Sequence, residues 1–299
     1  MKARRALFLP LAFIGPAALV MAAVTLYPIL YGIGMAFTDF SVRNLRHQDP
    51  HFVGLANFWA ILGGSDALGI SFPRILGFNL LWTVVNLVFH VSLGVGLAMM
   101  LDRPGLRGSR LYRAALILPW AVPTYVTSLT WRNMFDAQSG AVNLLLASWG
   151  IQGPDWFAHF GTAFAAVLTT NIWLGFPFMM MVTSAGLKAI PRETQEAAAL
   201  DGASAWQRFR HVTLPQLRPT LVPAILMGFI WTFNQFNVLY FVGKGEPLGQ
   251  TEILVTQAYR FVDPLGLYGT ASAFALIIFV ILLGFTLLQL RLTRAVEDR

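Results

Sequence analysis

The sequence predicts an all-α polytopic membrane protein with six transmembrane helices, and three observations carry that prediction. Hydrophobic residues make up 56% of the 299 and charged residues only 12%, half the roughly 25% of an ordinary soluble domain. Mean hydropathy is +0.62. Six stretches are apolar over a length that reaches or approaches the roughly 20 helical residues needed to cross a hydrocarbon core of about 30 Å. There is no cysteine, which excludes disulfides, zinc–thiolate sites and thiol catalysis together.

The first stretch, 7–37, is too long for one straight span and contains Pro10, Pro16 and Pro28. It reads as an interfacial turn leading into a kinked helix. No small-residue cleavage site follows a short apolar core, so a cleaved signal peptide is not expected. The second, 78–101, holds His90, the one titratable side chain at membrane depth. Flanked by Val88, Phe89 and Val91, it reads first as a helix–helix hydrogen-bond donor rather than a proton relay. The third, 114–131, is the shortest. The fourth, 162–187, gathers Asn171, Trp173, Gly175 and Pro177, and the fifth, 221–242, gathers Trp231, Thr232, Asn234, Gln235 and Asn237. Unwound backbone is tolerated in a membrane only beside a cavity, so breaks are expected in these two spans, with a solute site next to them. The sixth runs over 268–290.

Lysine and arginine set the orientation, since positive loops stay in the cytoplasm. The N-terminal side and the alternate loops carry 15 of the 21 cations, including Lys2, Arg4, Arg5, Arg103, Arg107, Lys188, Arg192, Arg218 and Arg299. The opposite side carries six: Arg43, Arg46, Arg74, Arg132, Lys244 and Arg260. Both termini are therefore expected on the cytoplasmic side of the membrane. The net charge of +7 is a topology signal and gives no support for a nucleic-acid partner.

None of the six spans contains Asp, Glu, Lys or Arg. Ion-coupled carriers keep such groups at membrane depth, and an intramembrane enzyme needs carboxylates, a metal cluster or an activated nucleophile. The chain is expected to be non-catalytic and to bind no cofactor or metal. Nor does it have a G-x-x-x-x-G-K-[ST] phosphate loop; the nearest approach is Gly243-Lys244-Gly245. Uphill transport would need a separate ATPase, with a docking surface on the inner side.

One inner loop is long enough for that, 188–219. Pro191 suits a first helical turn, 194–200 are good helix formers, and Gly202 interrupts the run. A second short helix is expected over 203–211, stopped at Leu214-Pro215. Two short helices bent at a glycine make a narrow knob that fits a groove; the other reading is an amphipathic connector lying on the headgroups.

The residues of this loop resemble a known family. Glu196-Ala197-Ala198, Gly202 and Leu214-Pro215, within EAAALDGA and FRHVTLPQLRP, are similar to the E-A-A…G…L-P signature of ABC importer permease subunits, in their carbohydrate-uptake branch. FVGLANF (52–58) resembles that branch. YRAALILPWAVP (112–123), GAVNLLL (140–146), NIWLGFPFMMMVTSAGLKAIP (171–191), TEILVTQAYRF (251–261) and ASAFAL (271–276) resemble its maltose and maltodextrin permeases. Two features depart from the pattern. The first outer loop, 39–77, is short where the enteric maltose subunit has extra spans and a large external insertion, and the usual T-x-G-G-P appears as GKGEP at 243–247.

The resemblance implies the type I ABC importer (MetI-like) fold, with an N-terminal span and outer loop over 1–77, a core over 78–290 and a tail over 291–299. It implies a second, homologous permease subunit, an ATPase homodimer that uses ATP and Mg, an extracytoplasmic solute-binding protein, and a neutral maltose-like sugar. It places sugar contacts on Trp120, Thr124, Asn171, Leu174, Gly175, Phe178, Gly228, Trp231 and Thr232. Trp120, Phe178, Trp231 and Thr232 are not the family's usual residues there. It places ATPase coupling on Glu196, Ala197, Ala198, Asp201, Gly202, Leu214 and Pro215. A permease for another polyol or a glycerol-phosphate-type solute is the alternative within the class, and a self-sufficient secondary carrier the alternative outside it.

Overall fold

The computed structural model describes residues 13–44, 49–63, 68–103 and 105–297, with the backbone alone for 292–297. Pro10, the start of the first span, and the cations Lys2, Arg4, Arg5, Arg46 and Arg299 lie outside these residues. Among the described residues the regular structure is helical, with no strand and one isolated bridge, Thr38 to Phe52. Among those residues five helical stretches are long and apolar enough to cross a membrane. They lie in α1 (Phe13–Met35), α3 (Phe72–Leu101), α7 (Phe160–Ala189), the run that includes α10 (Leu214–Phe233), and the first 24 residues of α13 (Tyr268–Glu297). The shorter helices are α2 (Ala56–Leu62), α4 (Ser109–Ala121), α5 (Thr124–Met134), α6 (Ala141–Ser148), α8 (Arg192–Leu200), α9 (Ala205–Arg208), α11 (Phe236–Val238) and α12 (Leu254–Val262).

The chain divides into two compact units. One comprises Met1–Phe72 and Gln257–Ile281, the other Pro73–Thr256 and Leu282–Arg299. In the first, none of the side chains of α1 is buried. The segment after it is tied by Asn57, whose Nδ2 donates to the carbonyls of Ala36 at 2.9 Å and Thr38 at 2.8 Å. Val42 N–H donates to Gly266 C=O and Gly269 N–H to Phe40 C=O. The second unit holds the larger core. Trp82, Phe135, Val167, Leu174, Val238 and Ile253 form one buried cluster within it.

Three expectations about the spans are corrected. The third span is not one helix. Val122 is extended (ψ 134°) ahead of Pro123, because the ring of a proline pushes its predecessor out of the α region, and α4 and α5 meet at that break. The fourth is not broken: α7 runs through Pro177 for 30 residues. The fifth is broken, at Asn234 and Gln235, between α10 and α11.

The third correction concerns Leu214-Pro215, which does not stop the helix before it. A π turn, Phe209–Thr213, joins α9 to α10, and Leu214 N–H donates to Phe209 C=O. The chain is helical from 205 to 233. A π turn, Ala22–Leu26, likewise precedes Pro28 in α1. In both places the widened i→i+5 turn lies just ahead of a residue that lacks an N–H and whose ring would crowd the preceding carbonyl.

Candidate functional site

Small residues let the helices around the site approach closely, as expected where apolar packing alone drives association. A Cβ on Gly94 would stand 2.8 Å from the Met179 carbonyl carbon, and one on Gly228 2.8 Å from Met179 Cε. A Cβ on Gly175 would overlap the His90 imidazole. That ring is fixed by a 2.9 Å bond from Nε2 to the Asn171 carbonyl, in which Nε2 must be the donor. His90 therefore joins α3 to α7, as the sequence suggested.

Where α4, α5, α7 and α10 meet, they enclose a cavity of about 150 Å³. All nine residues singled out from the sequence line it: Trp120 and Thr124 from either side of the Pro123 break, Asn171, Leu174, Gly175 and Phe178 from α7, Gly228, Trp231 and Thr232 from α10. His90, Val122, Met179 and Gln235 complete the lining. Gln235 is the informative addition. It sits in the break of the fifth span, where an amide in an apolar stretch was its only signal.

Three rings form one wall. Phe178 lies 5.0 Å from Trp231, edge to face at 62°, and 6.2 Å from Trp120. The two tryptophans stay about half exposed, at 47% and 50%. Opposite in character is a chain of amides: Gln235 Nε2 donates to Asn171 Oδ1 at 3.2 Å, and Asn171 Nδ2 donates to Asn86 Oδ1 at 2.8 Å. Asn171 still has one N–H and one lone pair beyond these bonds. Among the described residues no Asp, Glu, Lys or Arg lines the cavity. Chemically this is an aromatic surface for C–H faces beside a short row of neutral hydrogen-bonding groups.

The other predicted cluster forms on the loop. α8 ends in a Schellman motif: Ala203 N–H donates to Ala198 C=O at 3.0 Å and Gly202 N–H to Ala199 C=O at 3.1 Å, with Gly202 at φ +79°. Glu196, Ala197, Asp201 and Gly202 are exposed, while Ala198, Leu214 and Pro215 are half-buried. Ser204 and Gln207 form a reciprocal capping box that starts α9. Gln195 Nε2 reaches back to Thr213 Oγ1 at 3.0 Å, tying α8 to the π turn. Beside this bend Leu200 and Trp206 stand 89% and 65% exposed.

With this geometry in hand, comparison with known proteins is specific. Residues 91–298 match the family described as binding-protein-dependent transport system inner membrane component. The galactooligosaccharide transport permease of Bacillus subtilis is 32% identical over 295 residues, covering 95% of this chain and 70% of that one. The trehalose/maltose transport permease of Thermococcus litoralis is 33% identical over 247 residues, 83% of this chain and 81% of that one. A solved bacterial ABC transporter for the import of the acidic polysaccharide alginate superposes with a TM-score of 0.82 over 98% of both chains, at 20% identity. A second alginate transporter structure, in complex with a pentasaccharide-bound periplasmic protein, gives 0.81 over 99% of this chain and 97% of that one, also at 20% identity. These two likenesses show the fold, that of ABC importer permeases.

Proposed function

The chain belongs to the family of binding-protein-dependent transport system inner membrane components, and from that premise we propose that it is the translocation subunit of an ATP-driven importer for a neutral oligosaccharide of the maltose type. The observation that carries the reading is the cavity, which the rings of Trp120, Phe178 and Trp231 line together with the amides of Asn171 and Gln235 and, among the described residues, with no charged side chain. A sugar offers C–H groups on its ring face and hydroxyls at its edge, and such a wall meets both. A phosphorylated or carboxylated solute would need a cation here. The galactooligosaccharide and trehalose/maltose relatives support a sugar solute.

Mechanism follows from alternating access. A binding protein delivers the sugar to the outer side. ATP, with Mg, closes an ATPase dimer on the inner side, and the loop around Glu196 and Gly202 follows that closure. The spans of this subunit and of a second, homologous permease reorient around the bound sugar. This chain's own residues bind and release; the energy comes from the ATPase.

The test uses the reconstituted importer with maltose and maltotriose. Asn171→Ala leaves a sugar hydroxyl or Asn86 without its partner, a loss of about 1–3 kcal/mol. Trp231→Ala removes an aromatic platform. Both should cut uptake at least fivefold while the subunit still assembles with its ATPase. Unchanged uptake and unchanged preference between the two sugars in both variants would place the solute elsewhere.

A further inference from the structure

A helix that stops inside a membrane releases carbonyls that water cannot reach. The fifth span does this beside the cavity, and two of the carbonyls set free there, those of Thr232 and Phe233, are met by side chains of α3. Trp82 Nε1 donates to Thr232 C=O at 3.0 Å, and Asn79 Nδ2 donates to Phe233 C=O at 3.1 Å. Asn79 and Trp82 are three residues apart, so they share one face of α3. Neither has any exposed surface, and neither lines the cavity.

The same pair is tied in on its other sides. Asn79 Oδ1 accepts from Leu254 N–H at 2.9 Å, at the start of α12. The carbonyl of Trp82 accepts from Asn86 Nδ2 at 2.8 Å. From Asn86 the amide chain runs through Asn171 to Gln235, back in the break. A closed circuit of hydrogen bonds thus begins at Thr232, passes through α3 and α7, and returns three residues further along the chain. Its side-chain donors are all neutral, and the backbone N–H of Gln235 closes it at Thr232 C=O.

We propose that Asn79 and Trp82 are positioning residues of the solute cavity: they set the angle at which the broken fifth span presents Trp231, Thr232 and Gln235, without touching solute themselves. The inference rests on the cavity being the solute site. The bland reading of both residues is core packing, and it makes a different prediction. Trp82→Phe keeps an aromatic ring against Phe164, which the indole meets edge to face at 6.5 Å, and removes only the N–H. If packing is all that matters, that change is nearly silent. Without the indole, Thr232 C=O is left, among the described residues, with the N–H of Gln235, 3.2 Å away and part of the break itself, so if the bond aims the break the change is not silent.

The test uses the complete reconstituted importer carrying Trp82→Phe or Asn79→Leu, with Trp231→Ala as reference. Loss of a buried hydrogen bond at the break should lower maltose uptake about tenfold while ATP hydrolysis by the assembled complex falls less than about twofold, so that fewer sugars cross per ATP. Damage to the fold in general lowers both together. A second arm needs no sugar. Because the chain has no cysteine, Thr232→Cys supplies a thiol unique in this subunit, at a site only 4% exposed. Alkylation by a small maleimide should accelerate several-fold in the Trp82→Phe and Asn79→Leu backgrounds, with no change at a Ser184→Cys control, a buried site (7% exposed) further along α7. Unchanged coupling and labelling in both variants, when Trp231→Ala does lower uptake, overturns the positioning role alone. Unchanged uptake in Trp231→Ala overturns the cavity reading instead. Acceleration at both cysteines marks general loosening and also overturns the positioning role. Should Asn79→Leu fail to assemble, Trp82→Phe decides.

Discussion

At Gly175 the site depends on a side chain that is missing. A methyl group there would overlap the His90 ring, which is held by its bond to the Asn171 carbonyl. Overpacking of this kind costs about 1–3 kcal/mol. Gly175→Ala should therefore destabilise the subunit by about that amount in detergent unfolding. Combined with His90→Ala it should cost less than the sum of the two single changes, because the clash is shared. Gly202 presents the opposite case. An added Cβ there meets open space, so only the backbone at φ +79° resists substitution. Asparagine tolerates that conformation and valine does not. Gly202→Val should reduce solute-stimulated ATP hydrolysis far more than Gly202→Asn, and equal effects would show that the bend is not what matters. The demand at Gly202 was legible in the sequence, because a helix stop is a local event. The demand at Gly175 was not, since it depends on where a histidine 85 positions away comes to rest.

Among the elements, proline was a poor guide to where helices break. Pro177 sits inside α7 without interrupting it, whereas Pro123 separates α4 from α5. The difference lies in the preceding residue, extended at Val122 and helical at Phe176. The fifth span breaks where there is neither proline nor glycine. Asn234 and Gln235 leave the helix there because side chains of α3 take up the carbonyls it gives up. Such a break is paid for by tertiary contacts and cannot be read from local propensity. That the nine candidate residues nevertheless converge on one cavity follows from the resemblance that placed them; composition alone marked only the amides, small residues and rings gathered in the fourth and fifth spans. Pro123→Ala restores an N–H and frees Val122 to become helical. It should let α4 and α5 merge, turn Trp120 away from Thr124 and lower uptake several-fold. Full uptake in this variant would show that the break is dispensable.

On the scale of the whole molecule, charge and apolar surface specify placement in the bilayer. The 15 to 6 partition of cations predicts that reporters fused at Gln138 and at Arg299 lie on opposite sides, with Arg299 in the cytoplasm. Finding both on one side would invalidate the span count. The unburied surface of α1 suits it to lipid or to a second subunit.

The unbroken run from 205 to 233 has a mechanical meaning. Its 29 residues make a rod of roughly 40 Å, one end in the 188–219 loop and the other at the cavity. Between them Leu217 is fully buried, and its Cδ2 stands 2.7 Å from where a Cβ on Gly186 of α7 would lie, which makes that contact a natural fulcrum. At 1.5 Å per residue the arms measure about 18 Å toward Ala205 and about 24 Å toward Phe233. Pivoting rigidly there, the rod would carry a displacement of the loop end to Phe233 reversed in direction and enlarged by about a third, and to Trp231 by about a sixth. A lever of this kind closes one side of a cavity by the stroke that opens the other.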